Sequence, residues 1–369
     1  MKVAYLLGSL NRGGTETLVL DVFNNAHKSP FTFIGIHRKG GGYKEQFYNS
    51  KAPMYQLNLK HKFDIGYIFR LRKLLIKESI TVVHSQQYID TFYALIASFG
   101  TGIKVCQTFH GYDFKVSTII KKAMKWSIKL SSATIFVTNQ QKKYFQQSYQ
   151  LATKNNLQVV YNGVNLSKLD NVVSEKIDLP AFPTNNNQTI ILGTVGNFVA
   201  VRDQLTICRF LSLLKKKGVD FVFYFVGAQS PSEPWRYTEC VEYCKENDIL
   251  NNVYFLGSRN DVPGILKKLD AFIYSTDHDT FGIAVIEAIA SGIPTFVNDW
   301  EVMDEITNHG EWAILYQTKN ENDLIEQFSV FLNNYKNNKE VYTYNANQVR
   351  QAYSIEQHIN KLFSVYQML

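Results

Sequence analysis

The sequence has few cysteines and lacks the spacing of a disulfide or metal framework. Its 369 residues include 4 Cys, which are scattered along the chain. Cys240 and Cys244 lie four positions apart, but no His or Cys pair follows them at metal-ligand spacing. We therefore expect packed thiols in a reducing compartment, the cytoplasm, and no bound metal.

Long apolar runs are also missing. No stretch reaches the roughly 18 uninterrupted apolar residues that cross a bilayer, and Asn11 and Arg12 cut short the apolar start, unlike a signal peptide. We expect no export signal and a cytoplasmic chain, with peripheral attachment to the inner face of the membrane as a possibility left open. The length, with 45% hydrophobic residues, predicts two globular domains.

Acidic residues are scarce in the first half. Residues 1–165 contain 22 Lys and Arg against 7 Asp and Glu, a balance of +15, and the remainder has 17 against 25, a balance of −8. A basic half suggests an anionic partner such as membrane lipid, a lipid-linked acceptor or nucleic acid. Neither half has a nucleic-acid recognition motif, so we expect no nucleic-acid partner.

Two basic stretches in this half mix lysine or arginine with apolar residues. They are residues 119–130 and residues 70–77, and the first suits a helix lying at a membrane surface. Lysines that only solvate a helix whose other face is core would give the same pattern. With the charge balance, the two stretches predict contact of the first domain with a membrane.

Apolar runs alternate with amphipathic stretches in both halves. The first is a strand, a glycine loop and a helix, beginning at Lys2–Leu7. The alternation stops over residues 166–188, which are rich in Pro and Asn, and resumes at Ile190. This predicts an α/β protein of two Rossmann-like, doubly wound domains, residues 1–170 and 188–352.

The most informative segment begins at Asp279. Seven residues separate Asp279 from Glu287, and Ser-Gly-Ile-Pro follows at residues 291–294. We expect a strand to end near Ser275 and a helix to start near Gly282, with its N–H groups and positive dipole end forming an anion site. A carboxylate at each end of the motif can accept hydrogen bonds from sugar hydroxyls. A capping carboxylate and a buried, paired Glu would be the structural alternative.

This segment resembles the retaining glycosyltransferases of family 4, whose hallmark is two acids separated by seven residues, then Glu-Ala and Gly-x-Pro. The resemblance implies a GT-B fold with two domains facing across a cleft. It implies a nucleotide-diphosphate-sugar donor on the second domain, an acceptor on the first, and a last helix at about residues 353–369 that packs back on the first. Asp279 would hold the sugar and Glu287 the ribose, although glutamate is usual at the first position. The backbone donors would be Thr280, Phe281, Gly282 and Ile283.

A second segment after the linker is similar to the family's diphosphate-binding loop. There an arginine and, five residues later, a lysine hold the diphosphate; Asn197 and Arg202 occupy these positions. A guanidinium stabilises the charge left on the diphosphate by bonds worth ~1.5 to 3 kcal/mol each. We expect Arg202 to carry this role and Asn197 to donate a neutral hydrogen bond. A helix-start arginine in solvent would be the structural reading.

Residues of the first domain complete the implied site. Gly13 and Gly14 follow the first strand, where backbone can approach a phosphate or acceptor. His110, in a His-Gly pair, matches a family histidine that reaches the donor sugar, whereas a strand-end histidine such as His84 is more often structural.

In the second domain, Asp261 and Val262 lie in a loop that resembles the family's base pocket. The residue types do not distinguish uracil from guanine as the base of the donor, and we favour a UDP-sugar.

The sequence therefore predicts a metal-independent, retaining transfer of a sugar to a glycan or lipid-linked acceptor in bacterial surface polysaccharide synthesis, without a cofactor. Asp277 and Asp279 form an Asp-x-Asp, a metal-binding signature in another transferase class, but the longer motif needs no metal. The alternatives are a protein acceptor, a sugar-nucleotide epimerase and a non-catalytic partner subunit. Asn197 and Asp279, which depart from the family pattern, favour the last of these.

Overall fold

The computed structural model describes residues 1–25, 31–61, 64–114, 116–151, 156–171, 177–180, 189–334 and 339–369. The chain divides into two compact units. Unit 1 comprises residues 1–163 and 355–369, and unit 2 comprises residues 164–354. Most of the segment expected to be a linker, residues 172–176 and 181–188, lies outside the described residues.

Unit 1 is built on a parallel sheet. Within the described residues its strands are β1 (Lys2–Leu7), β2 (Thr32–His37), β3 (Met54–Gln56), β4 (Val82–Ser85), β5 (Lys104–Phe109), β6 (Ala133–Phe136) and β7 (Leu157–Val159). They are arranged in the order β3-β2-β1-β4-β5-β6-β7. The order reverses direction beside β1, so the loops after β1 and β4 diverge at the carboxyl edge, where doubly wound sheets bind ligands.

Helices cover both faces of this sheet. They are α1 (Gly14–Asn25), α2 (Lys44–Tyr48), α3 (Ile65–Lys77), α4 (Tyr88–Ser98), α5 (Thr118–Leu130), α6 (Asn139–Tyr149) and α15 (Ile355–Gln367). On β1, Tyr5 faces α1 and α15, whereas Leu6 faces α3 and α4. Successive strand residues point to opposite faces, and both are apolar here because helices bury both sides.

Helix α15, at the end of the chain, is part of the unit 1 core. Tyr366 on α15 shares a hydrogen bond of 2.9 Å with the Tyr5 hydroxyl and one of 2.5 Å with His84 Nδ1. Phe363 stacks on Phe31 with ring centroids 4.6 Å apart. The buried tyrosine hydroxyls are therefore paired, which avoids the cost of burying an unmade hydrogen bond.

Unit 2 repeats the architecture with a second parallel sheet. Its described strands are β8 (Ile190–Val195), β9 (Phe221–Val226), β10 (Val253–Gly257), β11 (Ala271–Tyr274), β12 (Thr295–Asn298) and β13 (Ile314–Tyr316), in the order β10-β9-β8-β11-β12-β13. Its helices are α7 (Ser167–Asp170), α8 (Gln204–Lys216), α9 (Trp235–Glu246), α10 (Val262–Leu266), α11 (Ile283–Ala290), α12 (Glu301–Ile306), α13 (Glu321–Asn334) and α14 (Lys339–Tyr353). The doubly wound, Rossmann-like fold predicted for both halves is confirmed.

The cysteines pack as thiols. Cys208 on α8 lies beside Cys240 and Cys244 on α9, and all three are buried in the unit 2 core. Burial raises the pKa of the Cys208 thiol well above its usual value. Within the described residues, no helix is both long and apolar enough to span a bilayer.

Three histidines of unit 1 are held in the neutral form: His84 and His358 are buried, and His110 is half-buried. Burial, together with the neighbouring histidines, lowers the pKa of His84 and of His110 to about 3, and burial lowers the pKa of His358 to about 4. In the unfolded chain a histidine titrates near ~6.5. The unfolded chain therefore binds more protons than the folded one between these values, and stability falls as the pH falls.

We expect the free energy of unfolding to decrease between pH 7 and pH 5 by up to about 1.4 kcal/mol per pH unit for each of these histidines. Urea titrations at the two pH values measure it. His358→Gln should lessen the pH dependence, and His61→Gln, at an exposed position, should not. An unchanged pH dependence in His358→Gln would contradict the account.

Candidate active site

Two loops of unit 2 lie side by side because their strands are neighbours. β8 pairs with β11 in parallel, so the loops that leave their carboxyl ends meet. Arg202 and Thr276 form an antiparallel bridge between the loops, and the Thr276 hydroxyl donates to the Val201 carbonyl at 2.5 Å. Asp203 then caps α8 by accepting from the Thr206 N–H at 3.3 Å. These contacts fix the backbone position of Arg202.

The Arg202 guanidinium is held by an acid and an aromatic ring. Its Nη1 donates to Asp279 Oδ2, and its carbon Cζ lies 4.8 Å from the centroid of the Tyr274 ring. The Tyr274 hydroxyl donates to the same carboxylate oxygen at 2.6 Å. The Arg202 and Asp279 side chains are only 18% and 14% exposed. We call these three residues the arginine cluster; it brings together two residues that the sequence assigned to donor binding.

The arginine cluster stays charged at neutral pH. Burial alone would raise the pKa of Asp279, but Arg202 and the hydrogen bonds from Tyr274 and the Thr280 N–H outweigh it, and the pKa is lowered. Burial opposes the charge on Arg202, and Asp279 more than offsets this, so the pKa of the guanidinium is raised. Asp279 accepts from Nη1, and within the described residues no hydrogen bond from the other guanidinium N–H groups is seen, so these can bind an anion.

Helix α11 begins directly after this carboxylate. Gly282 precedes it with φ of +80°, and a Cβ there would lie 2.9 Å from the Met303 side chain, so glycine is required at this position. In the described part of the chain, the N–H groups of Gly282, Ile283 and Ala284 have no backbone acceptor. They form the donor end of the helix, which favours an anion.

Phe281 and Glu287, two further residues of the motif, lie in different environments. The Phe281 ring is buried and packs edge-to-face on Tyr353 at 5.6 Å, so this residue can offer a ligand only its backbone. Glu287 is half-buried on α11. It lies four residues after Ile283, on the same helix face as the first turn.

Asn197 joins the loops after β8 and β9. Its Oδ1 accepts from the Ala228 N–H at 2.8 Å, and the Gly196 N–H donates to the Val226 carbonyl at 2.8 Å. The loops come so close that a Cβ on Gly227 would lie 2.1 Å from the Gly196 oxygen. Asn197 therefore has a structural contact, while its side-chain N–H groups can still donate as the sequence predicted.

The loop expected at the base pocket is braced by an ion pair. Arg259 donates two hydrogen bonds to Asp261, from Nε at 2.8 Å and from Nη2 at 2.6 Å. This pairing lowers the pKa of the Asp261 carboxyl. Val262 begins α10. The Asp261 side chain therefore holds the shape of the loop. The backbone groups of the loop are left to contact a base.

The predicted residues of unit 1 lie at the carboxyl edge of its sheet. Gly13 accepts from the Thr17 N–H at 3.0 Å, and Gly14 begins α1. His110 follows β5, and its Nε2 pairs with Gln86 Oε1 at 2.7 Å. An amide oxygen can only accept, so Nε2 carries the hydrogen and Nδ1 is an acceptor.

His84 has a structural environment. Its two ring nitrogens pair with the hydroxyls of Tyr366 at 2.5 Å and Thr108 at 2.7 Å. It is buried in the unit 1 core, in agreement with the structural reading.

The sequence argument missed the residues that orient the predicted ones. Tyr274 was not predicted as a site residue, because a buried aromatic at a strand end looks like any other core residue. Trp300 donates from Nε1 to the Asp279 carbonyl at 3.0 Å, and Gln86 orients His110. Polar atoms at the carboxyl ends of strands were the only signal available for them.

We expect the arginine cluster to stabilise unit 2. Asp279→Asn leaves the Arg202 charge without its counter-charge and should lower the free energy of unfolding by about 3 kcal/mol. Tyr274→Phe removes one hydrogen bond to a charged group and should cost about 1.5 kcal/mol or more. Urea titrations of the purified variants measure both losses.

Asp277→Asn is the matched control. It breaks the 3.0 Å ion pair between Asp277 and Lys319, whose side chains are 27% and 62% exposed respectively. The substitution should lower the free energy of unfolding by no more than about 1 kcal/mol. Equal losses in Asp277→Asn and Asp279→Asn would show that the arginine cluster is not a buried, stabilising unit.

Family models match both parts of the chain. Residues 12–168 match the family model described as Glycosyltransferase Family 4, and residues 175–349 match that of Glycosyl transferases group 1. The structure is similar to the Anabaena protein HepE in complex with UDP, with a TM-score of 0.84 and 14% identity, over 100% of both chains.

Two curated relatives match part of this chain. The UDP-Gal:alpha-D-GlcNAc-diphosphoundecaprenol alpha-1,3-galactosyltransferase of Escherichia coli is 24% identical, over 64% of this chain and 62% of that protein. The N,N'-diacetylbacillosaminyl-diphospho-undecaprenol alpha-1,3-N-acetylgalactosaminyltransferase of Campylobacter jejuni is 27% identical, over 60% and 56%. The matches thus span about three fifths of each relative. With both family models matched and the fold shared, the chain belongs to the family 4 glycosyltransferases of GT-B fold.

Proposed function

We propose that this glycosyltransferase moves a hexosyl group from a UDP-sugar to a hydroxyl of a lipid-linked glycan, with retention of anomeric configuration, in bacterial surface polysaccharide synthesis. The observation that carries the proposal is the arginine cluster beside the donor end of α11. It combines a guanidinium with a row of N–H groups. That combination suits a diphosphate on which charge develops as the sugar leaves.

The donor contacts follow from these positions. Arg202 and the N–H groups of Gly282 and Ile283 bind the diphosphate, and Asn197 adds a neutral hydrogen bond. Asp279 accepts from a sugar hydroxyl while it holds Arg202. Glu287, further along α11, accepts from the ribose hydroxyls, as the family motif implies for the second acid.

The remaining assigned residues have supporting roles. Thr280 and Phe281 contribute backbone groups, and the loop carrying Asp261 and Val262 lines the base. In unit 1, His110 reaches the donor sugar, as the family motif implies. Gly13 and Gly14 let backbone approach the phosphate.

The reaction needs no covalent intermediate. The bond between the anomeric carbon and the diphosphate oxygen breaks, and the acceptor oxygen bonds to the same face of that carbon. The acceptor proton passes to the leaving diphosphate. Arg202 and the helix end stabilise the charge that the diphosphate gains, which lowers the barrier to departure.

The donor and acceptor classes are supported by the relatives. The name of the Escherichia coli relative specifies UDP-Gal and a diphosphoundecaprenol acceptor, that of the Campylobacter jejuni relative a diphospho-undecaprenol acceptor, and HepE was crystallised with UDP. An acceptor of this kind lies at a membrane. The +15 balance of residues 1–165 favours contact of unit 1 with an anionic membrane surface.

We expect turnover without a divalent metal. Both carboxylates of the Asp-x-Asp already have cationic partners, Asp277 with Lys319 and Asp279 with Arg202, so neither is an open metal ligand. EDTA should therefore leave the initial rate unchanged. A rate lost in EDTA and restored by Mg²⁺ or Mn²⁺ would contradict this proposal.

We expect Glu287→Gln to lower kcat/KM by about 100-fold or more, because a neutral amide replaces the charged acceptor of the ribose hydroxyls. Release of UDP from a panel of UDP-sugars, with and without lipid-linked acceptor, measures the effect. The matched control is Glu326→Gln on the exposed side of α13. Full turnover in Glu287→Gln would refute the assignment of this residue.

The same assay separates the rival functions. Release of UDP by the purified wild-type chain supports a catalytic subunit. Absence of release from any nucleotide sugar, with restoration only by a second protein, would favour a non-catalytic partner.

A further inference from the structure

A small cavity lies in the core of unit 1, between the sheet and helices α1 and α15. Its volume is about 10 Å³, and one water molecule needs roughly 10 to 15 Å³. The polar residues that line it are His84, Gln86, Thr108, His110 and His358. The cavity is therefore too small for an organic ligand, but it has the size and the polar lining that a single water requires.

Gln86 brings an unsatisfied donor to this cavity. The residue is 6% exposed, and its Oε1 accepts from His110 Nε2 at 2.7 Å. Its Nε2 is buried and has no hydrogen-bond partner among the described residues. His84 and Thr108, which also line the cavity, pair with each other at 2.7 Å. Because a buried amide donor without an acceptor is costly, Gln86 Nε2 requires an acceptor inside the cavity.

His358 brings an acceptor from α15. Its Nδ1 pairs with the Tyr161 carbonyl oxygen at 2.6 Å. A carbonyl can only accept and the ring is neutral, so Nδ1 carries the hydrogen and Nε2 is an acceptor. The chain before α15 packs tightly on this residue, since a Cβ on Gly163 would lie 2.7 Å from His358 Cβ. The ring therefore has a fixed place and a fixed tautomer.

We propose that the cavity binds one water molecule, which accepts from Gln86 Nε2 and donates to His358 Nε2, and that Gln86 and His358 are thereby positioning residues for His110. Two partners lie within the two to four that buried waters have. A bridging water holds two polar groups nearly as well as a direct hydrogen bond does. The inference rests on the proposed function, in which His110 reaches the donor sugar, and deepens it by linking that histidine to the last helix.

The bridge determines how firmly His110 is held. Its ring is half-buried at the carboxyl edge of the sheet, and Gln86 is its partner on the Nε2 side. Gln86 can hold the ring in one orientation only if its own amide is fixed, and the water fixes the other end of that amide. Loss of the bridge should therefore lower kcat and leave the affinity for UDP unchanged, because the diphosphate is assigned to unit 2.

Two substitutions of His358 test the bridge. Asparagine keeps an amide near the position of Nδ1 and can still donate to Tyr161, but it has no acceptor at the position of Nε2. Glutamine places its amide oxygen near the position of Nε2 and can still accept from the water. We expect kcat to fall at least about 10-fold in His358→Asn, since a misplacement of ~1 Å at a reacting site can cost ~100-fold. His358→Gln should restore most of this loss, and the Kd of UDP should not change in either variant.

Tyr366→Phe is the matched control. It removes the hydroxyl that pairs with Tyr5 and His84 on the same helix, so it weakens the packing of α15 without removing a partner of the water. We expect a lower free energy of unfolding and an unchanged kcat. Gln86→Leu combined with His358→Asn should be no slower than Gln86→Leu alone, because both substitutions break one chain of hydrogen bonds.

A crystal structure and nitrogen NMR spectra of histidine-labelled protein detect the bridge without turnover. We expect one water within hydrogen-bond distance of Gln86 Nε2 and His358 Nε2, with the hydrogen on Nε2 of His110 and on Nδ1 of His358. The proposal is overturned if the cavity is dry, if His358→Asn turns over like the wild type, or if Tyr366→Phe loses as much kcat. If the wild type releases no UDP while the water and the tautomers are observed, the proposed function fails and the water bridge stands.

Discussion

The partly buried pair of Arg202 and Asp279 is the interaction on which the candidate site depends. Neither charge would be tolerated alone at this exposure, since removing a charge from water is costly unless a partner offsets it. Tyr274 completes the arrangement by placing its ring against the guanidinium and its hydroxyl on the carboxylate. The loops after β8 and β11 therefore hold one shape, with a positive group already in place beside the donor end of α11. Under the proposed function, a site formed in advance loses little free energy to reorganisation when charge develops on the diphosphate.

Much of the fold could be predicted because parallel strands buried on both faces are continuous apolar runs. The run predicted at Lys2–Leu7 is strand β1 with the same bounds, and the alternation predicted to resume at Ile190 begins there with β8. The edge strands β3 and β13 were missed, because three residues are too short to show a period. Helices α12 to α14 were missed as well, because the pattern of polar and apolar residues in them was not distinguished from that of a loop.

The site could be predicted only where its residues fall close together in the sequence. Asp279 and Glu287 share one motif, and Arg202 was found by its place in a second segment. The contact between Arg202 and Asp279 joins residues that are 77 positions apart, so only the order of the strands reveals it. Tyr274 shows the limit most clearly, because nothing in the sequence distinguishes a tyrosine that packs on an arginine of the candidate site from one that fills a core.

Hydrogen–deuterium exchange with and without UDP tests the central claim most directly. If the arginine cluster and the first turn of α11 receive the diphosphate, UDP slows exchange at residues 282–284 in the wild-type protein and does so far less in Arg202→Ala. The claim is contradicted if UDP binds without protecting this turn, or if it protects Arg202→Ala equally.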